Sequence, residues 1–386
     1  MPYYRSVGDI PRKRHLVHRV DGAVVAEELM GEHGFSADSS LLYHRGSPSA
    51  VVAIEPVEAP QPSFTPNAPL APHHLRPRAL DASPDVDAVL GRRHLLGNGD
   101  VRLAWVRATS TSPLYRDAVG DELAYVQSGA TVLESVFGRL PLSAGDYALI
   151  PASTTHRWVV DEPTELLLFE ATGHVTVPAK YRSETGQLLE GAPYSERDQR
   201  GPEPEPLLMD GEDVPVLVRT RSGVSRHVHA THPFDVVGWD GCLYPWAFSI
   251  HDFEPIVGRI HQPPPVHQTF AGPGFVVCSF VPRLYDTDPE SVKVPYHHAN
   301  VDSDEVLFYA EGDFMSRSGS GIGQASISLH PAGFVHGPQP GSREAAADQA
   351  GTDEYAVMLD TFSPLGLTDV ARSVSDPAYP SSWARR

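Results

Sequence analysis

Cysteine is almost missing: Cys242 and Cys278 are the only two among 386 residues. So few thiols exclude a disulfide framework, which fits a reducing compartment. Positive charge is scarce too, with 30 Lys and Arg against 49 Asp and Glu, a formal net charge of −19. Such a surface repels phosphate backbones and anionic lipid, so neither nucleic acid nor a membrane is an expected partner. No run approaches the roughly eighteen apolar residues of a membrane-spanning helix. The first twenty residues hold no apolar core of signal-peptide length, so the expected location is cytoplasmic.

Helical signals are few as well, confined to residues 26–31 and 342–348. Proline, by contrast, is abundant at 37 residues. That is roughly twice its usual share, and it favours short strands and turns over long helices. Short apolar runs separated by turn residues recur at 103–106, 123–126, 131–137, 147–150 and 166–169, and resume from about 216 to 361. This rhythm predicts a mainly β chain of antiparallel barrels or sandwiches. Four regions follow: 1–100, a β-rich segment ending in a proline-rich arm; 101–175, a first barrel half; 176–232, a polar connecting region; and 233–386, a second barrel half.

Two windows repeat one another. In the first, Asp121-Glu122 opens an apolar run that ends at Gly129, and a later run leads through Pro151 to His156. In the second, Asp304-Glu305 opens a run ending at Gly312, and Pro331-Ala332-Gly333 leads to His336. The densest local signal is Pro295-Tyr296-His297-His298-Ala299-Asn300, followed closely by Asp304-Glu305. His298, Glu305 and His336 are the ligand types of a two-histidine, one-carboxylate iron site with open positions. At the matching places the first copy has Tyr115, Asp117, Glu122 and His156, without the leading imidazoles. A structural role is expected there, with one metal per chain.

The spacing of these residues is similar to the two motifs of the cupin fold, with Asn300 where a second histidine is usual. The wider pattern resembles homogentisate 1,2-dioxygenases. It is carried by Pro295 to Glu305, by Leu329-His330 followed by His336-Gly337-Pro338, by Pro233 to Gly241, and by the segment around Gly31, Gly34, Phe35 and Tyr43. The resemblance implies duplicated cupin-like (jelly-roll) β-barrels, the first half degenerate and only the C-terminal barrel metal-binding. It implies Fe(II) held by His298, Glu305 and His336, and His261 as the acid/base, with His267 a nearby rival. A histidine suits that task because it moves protons either way near neutrality. His330, Tyr296 and His336 are expected to face substrate, with Asn300 and His297 supporting the ligands.

The implied reaction is cleavage of homogentisate by O2 to maleylacetoacetate, in tyrosine and phenylalanine breakdown. The implied partners are a small aromatic acid, O2 and further copies of the chain in a trimer-based homo-oligomer. Two positions depart from the family pattern: Ala299 replaces an arginine and Phe314 a substrate-contacting tyrosine. Gentisate or another hydroxylated aromatic acid is the alternative substrate, and a non-catalytic bicupin binding protein the alternative of another class.

Overall fold

The computed structural model describes residues 3–59, 61–80, 84–317 and 319–384, so Pro60 of the proline-rich arm lies outside it. The chain is mainly β. The two α-helices among the described residues, Ser342–Ala346 and Asp369–Ser373, have five residues each. Residues 26–31, expected as a helix, form a strand instead, paired antiparallel with Ser39–His44. Cross-strand partners there override the helix propensity of Ala-Glu-Glu-Leu-Met. No helix among the described residues is long and apolar enough to cross a membrane.

An eight-stranded antiparallel sheet organises the first half. Its inner strands run in the order Asp146–Ile150, Glu122–Ser128, Thr164–Ala171, Val101–Ala108, Arg93–Gly97. Side chains alternate between its faces. Ala124, Val126, Leu166 and Leu168 look toward a seven-stranded sheet and, with Leu133, Leu140 and Trp158, fill the space between the two. On the other face, Trp105 and Tyr125 pack against Phe308 of a third sheet.

That third sheet has six strands and repeats the same order: Ile327–His330, Asp304–Glu311, Tyr355–Thr361, Phe275–Phe280, Gln268–Gly272. The correspondence reaches single residues. Glu122 lies opposite Ile150 and Glu170, and Glu305 lies opposite His330 and Asp360. Tyr115 bridges His156 as His298 bridges His336. Asp121 accepts the backbone N–H groups of Ala152 and Val175, and Asp304 those of Ala332 and Leu365, all at 2.8 Å. In each copy the first acid of the pair clamps two loops and the second points inward.

The halves differ in what their inner faces meet. Leu307, Tyr309, Met358 and Asp360 of the third sheet line a cavity of about 380 Å³ instead of a covering sheet. Segments outside the two repeats complete the sheets. Val214–Thr220 and Gly223–His229 extend the seven-stranded sheet, and Trp246–Ser249 extends the eight-stranded one. His73–Leu75, from the arm, pairs with Ile327–His330 in the second half. Val236–Gly241 joins a four-stranded N-terminal sheet with Ser39–His44.

Candidate metal centre

Three segments bring the candidate ligands together. Glu305 stands near the start of its strand, and His298 and His336 sit on flanking loops. Two backbone bonds tie those loops, His298 N to His336 O at 2.9 Å and His336 N to His298 O at 2.8 Å. The turn before His336 needs Gly333 at φ 77°, a conformation that glycine adopts without a Cβ penalty. The ligand atoms of His298, Glu305 and His336 all lie within 4.8 Å of one another. His336 Nε2 is 3.1 Å from Glu305 Oε1, and His298 Nε2 is 3.5 Å from Glu305 Oε2.

Each imidazole is oriented by its own backbone. His298 Nδ1 lies 3.1 Å from the Tyr296 carbonyl and His336 Nδ1 lies 3.0 Å from the Phe334 carbonyl. A carbonyl only accepts, so Nδ1 donates to it and Nε2 faces the carboxylate, where it shares a proton with Glu305 or would give its lone pair to a metal between them. Metal-binding histidines are commonly held this way. The donor set of two imidazoles and one carboxylate, open to a cavity, fits a divalent transition metal. Burial opposes charge on Glu305, yet hydrogen bonds from His298, His330 and His336 hold its carboxyl well below the usual range.

His330 is fully buried and does not line the cavity. Its Nδ1 is 3.0 Å from Glu305 Oε1 and its Nε2 is 2.9 Å from the Tyr379 hydroxyl. Burial pushes its pKa down to about 3, so it is a neutral ring that donates to Glu305 and accepts from Tyr379. Asp360, across the strand pair from Glu305, lines the cavity, and its Oδ1 has no hydrogen-bond partner. Burial and then the neighbouring Glu305 push Asp360 up to about 7.

Tyr296, His261, His267, Ala299 and Asn300 all line the cavity. Tyr296 is exposed at its mouth, with the His261 ring set edge-on at 5.0 Å. His267 is buried against Phe280, and burial, Arg283 and His261 push it down to about 3. Asn300 accepts the Gly333 N–H through its backbone carbonyl at 2.6 Å. His297 is exposed and lies against Gly337, where any side chain would collide with it. Phe314 is buried edge-on against Tyr309 and does not line the cavity.

Sequence reasoning missed Arg317. It is buried and lines the cavity. Its Nε donates to the Tyr309 hydroxyl at 3.0 Å and its Nη1 to the Gly337 carbonyl at 2.7 Å. It forms no salt bridge with a described carboxylate, and although burial disfavours its charge, the neighbouring Tyr309, Tyr379 and Glu305 hold it in the charged form.

The first half shows what fills the equivalent place without a metal. His156 repeats the pose of His336, with Nδ1 at 3.0 Å from the Thr154 carbonyl and Nε2 at 3.5 Å from Glu122 Oε2. The Arg92 guanidinium pairs with Glu122 and, at 2.8 Å, with Glu170. It also lies 5.1 Å from the centre of the Tyr115 ring. An internal cation thus offsets the charge of the carboxylates there.

Fold and site together define a β-sheet protein with a candidate metal centre opening on a ligand-sized cavity. Over 387 residues the chain is 40% identical to a protein of Saccharolobus solfataricus provisionally named a dioxygenase, spanning 99% of each chain. The chain belongs to that dioxygenase family. Homogentisate 1,2-dioxygenase of Emericella nidulans is a distant relative, 24% identical over 344 residues, 81% of this chain and 75% of that one. No family model matches the chain. A cupin 2 conserved barrel domain protein from Leptotrichia buccalis aligns with 75% of this chain and 95% of its own. The two are 10% identical and superpose with a TM-score of 0.37.

Proposed function

We propose that the chain is a non-haem Fe(II), extradiol-type dioxygenase that opens the ring of a hydroxylated aromatic acid. Homogentisate, converted with O2 to maleylacetoacetate, is the first substrate to test. One observation carries the reading: two carbonyl-anchored imidazoles and a glutamate converge beside a cavity that also holds a buried guanidinium without a carboxylate partner. Iron(II) held by His298, Glu305 and His336 would supply a redox centre with positions left open for substrate and dioxygen.

The chain's own residues divide the remaining work. Arg317, the buried one of the three cations that line the cavity with Arg283 and Lys293, meets the substrate carboxylate. Leu307, Met358 and Phe280 give the ring an apolar wall. A cavity of about 380 Å³ suits a single-ring acid, at the small end of ligand sites. His261, at the mouth beside Tyr296, takes the phenolic proton and passes it to solvent. His267, buried and neutral, is the poorer proton carrier.

The test is iron analysis with oxygen uptake on homogentisate, gentisate and hydroquinone. The expected result is one Fe(II) per chain at this site, one O2 consumed per homogentisate, and loss of both in Glu305→Ala. Full turnover by an iron-free Glu305→Ala protein would overturn the proposal.

A further inference from the structure

We infer that the chain carries a second divalent-metal site, formed by Glu32, His33 and His174 and separate from the candidate centre above. Glu32 and His33 follow the strand Ala26–Gly31, and His174 lies just beyond the strand Thr164–Ala171. The ligand atoms of these three side chains lie within 4.8 Å of one another. Glu32 Oε1 is 3.4 Å from His174 Nδ1, close to the edge of a coordination polyhedron with metal–ligand bonds of about 2 Å. The two imidazole rings are tilted by 43°, with centroids 5.1 Å apart. Two imidazoles and a carboxylate suit zinc or a similar transition metal, not calcium or magnesium.

The surroundings point the same way. The loop is closed by its own backbone, with Glu32 N donating to Asp38 O at 2.9 Å, so Glu32 and His33 are held in place. Asp121 Oδ1 lies 3.3 Å from the same nitrogen, His174 Nδ1, and sets a second carboxylate beside Glu32. Carboxylates gather here: Glu32 and Asp121 both reach His174, and Asp38 closes the loop that carries Glu32. A bound dication would offset that negative charge. It would also fasten the N-terminal four-stranded sheet to the eight-stranded sheet, so its role is structural.

Zinc binding to metal-free protein tests this, with equilibrium dialysis as the readout and thermal melting alongside. Wild type is expected to bind two Zn²⁺ per chain, Glu305→Ala one, and the His33→Ala/His174→Ala protein one. The remaining equivalent in Glu305→Ala should raise its melting temperature and vanish when His33→Ala is added. His33 is exposed and has no side-chain hydrogen bond among the described residues, so the single variant keeps the fold. Unchanged stoichiometry in the double variant would overturn the second site, as would complete loss of zinc in Glu305→Ala. Retention of both equivalents in Glu305→Ala would instead count against the first site.

Discussion

Glu305 and His330 stand directly opposite each other on paired strands, and the Glu305 oxygen that meets His336 is also the one bonded by His330. His330 therefore fixes the carboxylate's position without touching the cavity. His330→Ala should keep the fold but weaken metal binding by roughly 10- to 100-fold. Tyr379→Phe, one bond further out, should do so less. Competition with a chelator measures both, and unchanged affinity in His330→Ala would remove its supporting role.

Arg317 should control recognition of the substrate's acid group. Removing one partner of a desolvated, hydrogen-bonded charge pair costs roughly 2–5 kcal/mol. Arg317→Met is thus expected to raise KM for homogentisate by about 100-fold while changing turnover of hydroquinone, which has no carboxylate, far less. Equal losses on both substrates would show that the guanidinium acts by another route.

In the first half, Arg92 neutralises Glu122 and Glu170 out of contact with water. Arg92→Met leaves Glu122 buried without its guanidinium, while Glu170 keeps Arg219 at 3.7 Å and His94 at 3.2 Å, so a loss of about 3–5 kcal/mol is expected in urea unfolding. Adding Glu122→Gln should recover part of it. Iron content at His298, Glu305 and His336 should not change in protein that remains folded.

His44 supplies a pH-dependent contribution. Burial disfavours its charge, but Asp235 at 2.6 Å and Glu28 at 3.0 Å lift its pKa from 6.5 to about 9. A raised pKa stabilises the folded state fully below the unfolded value and progressively less as pH climbs through the folded one. Stability should therefore fall between about pH 6.5 and 9. The amplitude is roughly 3 kcal/mol at most, reckoned at 1.36 kcal/mol per pKa unit. His44→Gln should flatten that part of a denaturation-midpoint profile, and an unchanged slope would assign it elsewhere.

The candidate ligands were legible because their chemistry is compressed into short motifs, and the internal copy set Glu305 against Glu122 and His336 against His156. Asp360 was legible in principle: it occupies the position of Glu170 in that repeat, but a lone acid inside an apolar run gives no local signal. Arg317 belongs to no motif. It becomes a site residue only because a loop folds its side chain under the cavity, a tertiary fact that spacing does not encode. The strand at 26–31 went unread for a related reason, since its partner Ser39–His44 decides its state. The first half's loss of imidazoles was plain in the sequence. The guanidinium that takes their place was not, because Arg92 lies outside the repeated windows.

The crossing of strands between the halves bears on how the polypeptide is made. His73–Leu75, near the beginning, completes the second half's sheet, and Gly366–Leu367, near the end, pairs with Arg93–Gly97 in the first. The first half's sheet is therefore not finished until Gly366–Leu367 has been made, after the strands of the second half, and a cut between the halves would yield two fragments with exposed sheet edges.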